Sequence, residues 1–221
     1  MKKLFAPLVM LALTLSTCLV SCNDDDKDDV EMFMAFVTYA ESSKDGSVFT
    51  TRPNNDLPLV TFTSGIVLDS KKYSTGKRYI IGYTTPSNKR FESGPISLMT
   101  IMNVTNGKAE EATLNAIQGM QNNLLEVSML QREGQYLNIE ATAPIQFQPK
   151  TFGIYVDDET IGNARPDIYI GFETDNTGGA YRTFFGSFDL SPIWDLPSCE
   201  GVRIHFHSNR EQIYRDFDKT K

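Results

Sequence analysis

Cysteine, histidine and tryptophan are scarce in this sequence of 221 residues, which holds 3 Cys, 2 His and 1 Trp. So few thiol and imidazole ligands leave little material for a metal site, and no Cys-x-x-Cys pair or His-Glu-x-x-His helix occurs. The Gly-x-Ser-x-Gly elbow of serine hydrolases is missing as well. Gly76-Lys77 is not a phosphate loop, because Lys71 stands where the earlier Gly belongs and Arg78 where Ser or Thr would hold magnesium. Nor is there an excess of positive charge: 21 Lys plus Arg face 28 Asp plus Glu, a formal charge of -7. Such a chain repels phosphate backbones, so nucleic acid is not expected as a partner. No fixed-period repeat is present.

What is present at the start is an address. Lys2 and Lys3 precede an apolar run from Leu4 to Val20 with no acidic residue before Asp24. Its length, Pro7 and the small residues at its end predict a secretory signal peptide over 1–21 rather than a membrane-spanning helix. Leu19-Val20-Ser21-Cys22 resembles the lipobox of bacterial lipoproteins, which implies an acylated Cys22 and stable anchoring through more than one acyl chain such as palmitate. Cys18 competes for this role, but Thr17 fits poorly before it. Removal of 1–21 leaves 19 basic against 28 acidic residues, a charge of -9.

Residues 22–29 then read as a lipidated acidic tether carrying Asp24, Asp25, Asp26, Asp28 and Asp29. Like charges make such a run a self-repelling spacer. Its place just after the Cys also resembles the surface-export tether of some Gram-negative anaerobes, which implies an outer-membrane protein facing outward. With Cys18 removed and Cys22 acylated, Cys199 is left without an intramolecular partner and is expected to be buried and structural.

From Val30 onward the pattern is alternation punctuated by turn residues. Strands are expected near Met32–Val37, Leu59–Thr63, Ile66–Leu68, Arg78–Thr85 and Ile96–Asn103, which together suggest a small barrel over 30–108. A mixed stretch at 109–123 marks a boundary. Leu124–Gln131 and Tyr136–Ala143 form a hairpin, followed by Thr151–Val156, Asp167–Glu173, Tyr181–Leu190 and Gly201–His207. Turns about every ten residues there suggest an antiparallel β-sandwich over 109–221. The expected fold class is all-β.

Four segments carry a family resemblance: Gly76-Lys77-Arg78-Tyr79-Ile80-Ile81-Gly82-Tyr83, Ile96 to Val104, Gly134-Gln135-Tyr136-Leu137-Asn138-Ile139 and Gly186-Ser187-Phe188-Asp189-Leu190-Ser191. Their order resembles that of NigD-like lipoproteins. The resemblance implies an OB-type barrel followed by a β-sandwich, an association with bacteriocin immunity, and neither cofactor nor catalytic residues.

The remaining chemistry is sparse. His205 and His207 alternate on one strand with Arg203, which favours a polar strand face over a metal pair. Asp157, Asp158 and Glu159 follow a strand and read as a solvated turn. Glycan binding requires aromatic faces in solvent, and the candidates are Tyr169, Tyr181, Phe185 and above all Trp194, between Pro192 and Pro197. The sequence therefore predicts a non-enzymatic, lipid-anchored binding protein, held to the membrane through Cys22, with a protein or a glycan as partner.

Overall fold

Phe33, Ala35, Val37 and Tyr39 alternate with Met34, Phe36 and Thr38, and strand β1 (Phe33–Ser43) turns the first set into a core. The computed structural model describes residues 30–53, 57–175 and 177–219. The expected signal segment 1–21 and tether 22–29, with Cys22, Asp24, Asp25, Asp26, Asp28 and Asp29, lie outside the described residues. The remainder, Glu31–Lys221, clusters as one unit.

Sheet A is built from β1, β2 (Gly46–Thr51), β3 (Val60–Ser64), β4 (Arg78–Thr84), β5 (Gly94–Pro95) and β6 (Ser97–Asn103), in the order β5-β3-β2-β1-β4-β6. The β1–β2 turn requires glycine at position 46: its φ is 147°, and a side chain there would run into the Ser64 carbonyl. One continuous segment touches both edges of this sheet, because Gly94–Pro95 pairs with β3 and Ser97–Asn103 pairs with β4. The sheet thereby curls around its own aromatic core, with Phe62 and Tyr83 at 4.7 Å and Tyr39 and Phe49 at 5.4 Å between ring centroids. It stops short of the closed barrel expected from the sequence. Among the described residues no ladder joins β5 to β6; β5 spans only two residues and ends at Pro95, which has no N–H to donate.

Tyr83 is fully buried and donates a hydrogen bond to the Arg90 carbonyl. Burial pushes its phenol up to about 12. The fold thus favours the neutral form, so this group's contribution to stability is intact below pH 10 and is lost as pH rises from about 10 to about 12. The loss is at most about 1.4 kcal/mol per pH unit. Urea midpoints measured through this window should fall less steeply in Tyr83→Phe than in the parent.

The other half is a two-sheet sandwich. Sheet B holds β7 (Thr105–Lys108), β9 (Glu126–Glu133), β10 (Tyr136–Ile145) and β13 (Thr177–Asp189), ordered β7-β13-β10-β9. Sheet C holds β8 (Glu110–Ala112), β11 (Thr151–Asp157), β12 (Asp167–Glu173), β14 (Gly201–Ser208) and β15 (Glu211–Asp218), ordered β15-β14-β12-β11-β8. The inner faces supply a second core that includes Leu137, Ile139, Phe172, Phe188 and Val202. The expected all-antiparallel pairing is corrected here: β8 with β11, β12 with β14 and β7 with β13 run parallel. Chain crossings cause this, since β13 passes to sheet B between β12 and β14 and the chain re-enters sheet C in the direction it left.

Two short helices, α1 (Leu114–Gln118) and α2 (Ser191–Trp194), fill the connections. Thr113 caps α1 by accepting from the Ala116 N–H at 3.2 Å. Cys199 is buried and free, its Sγ–H directed at the Gly201 carbonyl at 3.3 Å. Among the described residues no helix is long and apolar enough to cross a membrane.

Candidate functional site

The outer face of sheet B packs against sheet A, and Arg78 on β4 sits in the seam with only 3% of its surface exposed. A buried guanidinium is tolerable only if its donors are satisfied. Its Nη2 donates to Glu133 Oε2 at 2.9 Å and to Asn138 Oδ1 at 3.3 Å, and its Nε donates to Ser187 Oγ at 3.0 Å. Ser187 Oγ in turn donates to Asn138 Oδ1 at 2.7 Å. The Tyr136 ring covers the guanidinium at 4.6 Å. The Arg78 backbone exchanges two hydrogen bonds with the Asn106 amide, at 2.8 and 3.0 Å, tying β4 to β7. Burial lowers the Arg78 pKa against the opposing pull of Glu133, and burial raises that of Glu133 against the pull of Arg78.

This cluster explains the family-like segments. Arg78 comes from the first, Tyr136 and Asn138 from the third, Ser187 from the last, and the second supplies β6, which pairs with β4. Their shared role is to join two sheets that each carry a separate apolar core.

Beside the cluster the seam opens as a cleft of about 270 Å³, lined by Met34, Phe36, Ile80, Met129 and Phe185 with Arg90 and Glu140 at its polar margin. Met102 packs against the same apolar cluster, and Met32 lies over Gly82, whose strand partner is Met34. Met32 is 57% and Met34 39% exposed. Arg90 fastens the rim by donating to the Met34 carbonyl at 2.6 Å. Of the 8 methionines in the chain, Met32, Met34, Met102 and Met129 gather at or beside this cleft. Unbranched thioethers adapt to the shape of what they touch, and methionine surfaces of this kind accept apolar side chains of a partner.

The methionine cleft was not legible as a site. Met32 and Met34 fall inside a continuous apolar run, which reads as a strand buried on both faces. Their spacing of two, which puts both on one face of a strand, was the available signal.

Trp194 corrects an expectation. It is buried in the sandwich core under the Arg132 guanidinium, 4.2 Å from its ring centroid, because α2 folds the Pro192–Pro197 loop inward rather than presenting it. Phe185 packs edge-on against Phe36 at 6.5 Å, whereas Tyr181 is 67% exposed. Tyr169 lies on the outer face of sheet C, stacked on His205 at 4.4 Å. His205 Nε2 meets Asp167 at 2.7 Å, and among the described residues no group of three or more His, Cys, Asp or Glu could hold a metal ion. Asp157 is buried rather than solvated, and its carboxylate accepts from the Glu159 N–H at 3.2 Å.

No family model and no curated protein matches the chain. Solved structures do. A protein of unknown function from Bacteroides vulgatus aligns over 86% of this chain and 92% of its own, with a TM-score of 0.67 at 12% identity. A candidate lipoprotein from Bacteroides fragilis aligns over 86% and 99%, with a TM-score of 0.60 at 9% identity. A NigD-like immunity protein from Bacteroides caccae aligns over 87% and 98%, with a TM-score of 0.59 at 13% identity. At such identities the likeness is one of fold: the all-β class implied by the four short segments is found, with an open first sheet in place of the closed barrel, and this chain is similar in fold to a NigD-like immunity protein over most of both chains.

Proposed function

We propose that this protein is a lipid-anchored lipoprotein of the outer membrane, facing the cell surface, whose role is the non-catalytic binding of a protein partner in immunity or assembly. The observation that carries the reading is the exposed methionine-lined cleft between sheets A and B. The lipobox at Cys22 and the acidic run after it support the anchorage and the outward position. Neighbours in fold that are described as a lipoprotein and as an immunity protein agree with it. An apolar segment of a partner would fill the cleft, with Arg90 and Glu140 placed to select polar groups at its edge.

The test is photo-cross-linking in intact host cells, with a photoreactive residue replacing Met129, which lines the cleft, in the full-length lipidated chain. A discrete protein adduct is expected. Combining Met32→Glu with Met34→Glu should reduce its yield by about tenfold or more, since a charge at an apolar contact costs upwards of about 1.4 kcal/mol. No adduct, or an adduct indifferent to the two charges, would remove this reading.

A further inference from the structure

A second concavity lies on the opposite side of the sandwich, away from the methionine cleft. The outer face of sheet C presents a row of four rings in register across adjacent strands: Tyr155 pairs with Tyr169, Tyr169 with His205, and His205 with Tyr214. Next to Tyr155 and Tyr169 the row below has glycines, Gly153 opposite Gly171, which leaves space that the Tyr155 ring and the Met120 thioether lean into. The segment that carries Met120 is fastened over the sheet. Asn122 donates to the Ile117 carbonyl at 3.1 Å and accepts from the Phe172 N–H at 2.8 Å, and Gln121 accepts from the Thr174 N–H at 2.8 Å.

Between this segment and the β14–β15 hairpin is a cleft of about 260 Å³, with Tyr169 on its wall and Gln118, Asn123, His207 and Gln212 converging on it. Two properties define what it can take. First, no Lys, Arg, Asp or Glu lines it, although the chain carries 49 such residues, 21 basic and 28 acidic. Along the same sheet face several charges are held by one another: Arg203 holds Asp216 through bonds of 2.9 and 3.1 Å, Arg165 holds Asp216 at 3.3 Å and Asp218 at 2.5 Å, and Asp167 holds His205 at 2.7 Å. Second, among the described residues the side chains of Gln118, Asn123, His207 and Gln212 have no hydrogen-bond partner within the protein. Amide and imidazole groups each offer a donor and an acceptor. A ligand that matches them carries groups that both donate and accept, has no formal charge, and brings an apolar C–H face to a tyrosine. A sugar ring has all three properties.

We infer that this cleft is a subsite for one unit of a neutral glycan, with Tyr169 as the stacking surface and Asn123, His207 and Gln212 as the hydroxyl-binding groups. The site is independent of the methionine cleft and of any protein partner bound there. Its volume, just under the roughly 300 Å³ at which small-molecule sites begin, suits a terminal sugar rather than an enclosed chain. His205, clamped to Asp167 and stacked on Tyr169, serves to position that ring.

The two histidines make a direct assay. In the full-length protein labelled with ¹³C, the imidazole Cε1–H groups of His205 and His207 provide two resolvable signals. Neutral oligosaccharides of the gluco, manno, galacto and xylo series, with oligogalacturonate as the anionic control, are titrated to millimolar concentration. At least one neutral series is expected to shift the His207 signal saturably. Combining Asn123→Ala with Gln212→Ala, both exposed positions, should weaken that response about tenfold without changing the melting temperature, as the loss of two neutral hydrogen bonds requires. A His207 signal unmoved by every neutral series would overturn the inference. So would a response that survives the double variant, or one that oligogalacturonate produces equally well.

Discussion

Arg78→Met is expected to destabilise the protein by about 3–5 kcal/mol, among the largest effects any single substitution in this fold should have. The reason lies in what remains. Glu133 is 5% exposed, and without the guanidinium its carboxylate would be a buried charge without its main partner. Removing both members together, as Arg78→Met with Glu133→Leu, should recover most of the loss, because neither desolvation cost then persists. The double-mutant cycle therefore separates a buried ion pair from two independent polar residues: additive losses would show that the pair does not act as a unit.

The pH dependence of the single variant supplies a second check. Burial already raises the Glu133 carboxyl, and without Arg78 nothing of comparable strength opposes that rise. The folded variant then holds a proton that the unfolded chain releases above its ordinary carboxyl pKa. Stability of Arg78→Met should accordingly be greatest at low pH and decline as pH rises from about 4.5 toward neutrality. Urea midpoints at successive pH values would show a steeper fall in the variant than in the parent.

The second large effect concerns attachment. Cys22→Ala should move the protein almost entirely from the membrane pellet to the soluble fraction, because each buried methylene of an acyl chain contributes about 0.8 kcal/mol and none would remain. Cys18→Ala should leave the pellet unchanged. Release by the second substitution and not the first would place the acylated residue at 18 and dismiss the lipobox as read. With Asp24, Asp25, Asp26, Asp28 and Asp29 all replaced by Asn, the protein should stay lipidated yet become protected from protease added outside the cell. Undiminished cleavage would leave the acidic run as a spacer alone.

Much of the fold could be read from period-two patterning. Strands at Tyr136, Thr151, Asp167 and Gly201 begin where the alternation begins, because each has one face in a core and the other more exposed, whereas Arg78–Thr84 is buried on both faces and reads as a continuous run. The exceptions share a cause. β15, Glu-Gln-Ile-Tyr-Arg-Asp-Phe-Asp, is an edge strand exposed along nearly its whole length, so it buries too little to impose an apolar alternation. β7, Thr-Asn-Gly-Lys, is fully exposed and is ordered by its parallel ladder to β13 rather than by side-chain burial.

Ile66–Leu68, read as a strand, has no ladder in the structure; Leu68 instead turns into the core of sheet A from a loop.

The sites divide in the same way. The lipobox-like string at residues 19 to 22 is a local pattern, so the order of four residues suffices to propose it. The Arg78 cluster was visible only as unexplained short motifs. Its four contributing strands, β4, β9, β10 and β13, are brought together by a seam between sheets that no local periodicity encodes. Trp194 shows the opposite failure: two flanking prolines suggested a presented loop, whereas a single turn of helix folded the ring beneath Arg132.

By itself, then, the sequence determined the all-β class, the positions of most strands and the net negative charge, because each follows from composition or from neighbours along the chain. Only the tertiary structure decided that the first sheet curls without closing, that the sandwich is of mixed direction, and that methionines 32, 34, 102 and 129 meet at one cleft while Tyr169, His207 and Gln212 meet at another. Those outcomes depend on which strands pair and which faces touch, and pairing is chosen by the total apolar surface that the whole chain can bury.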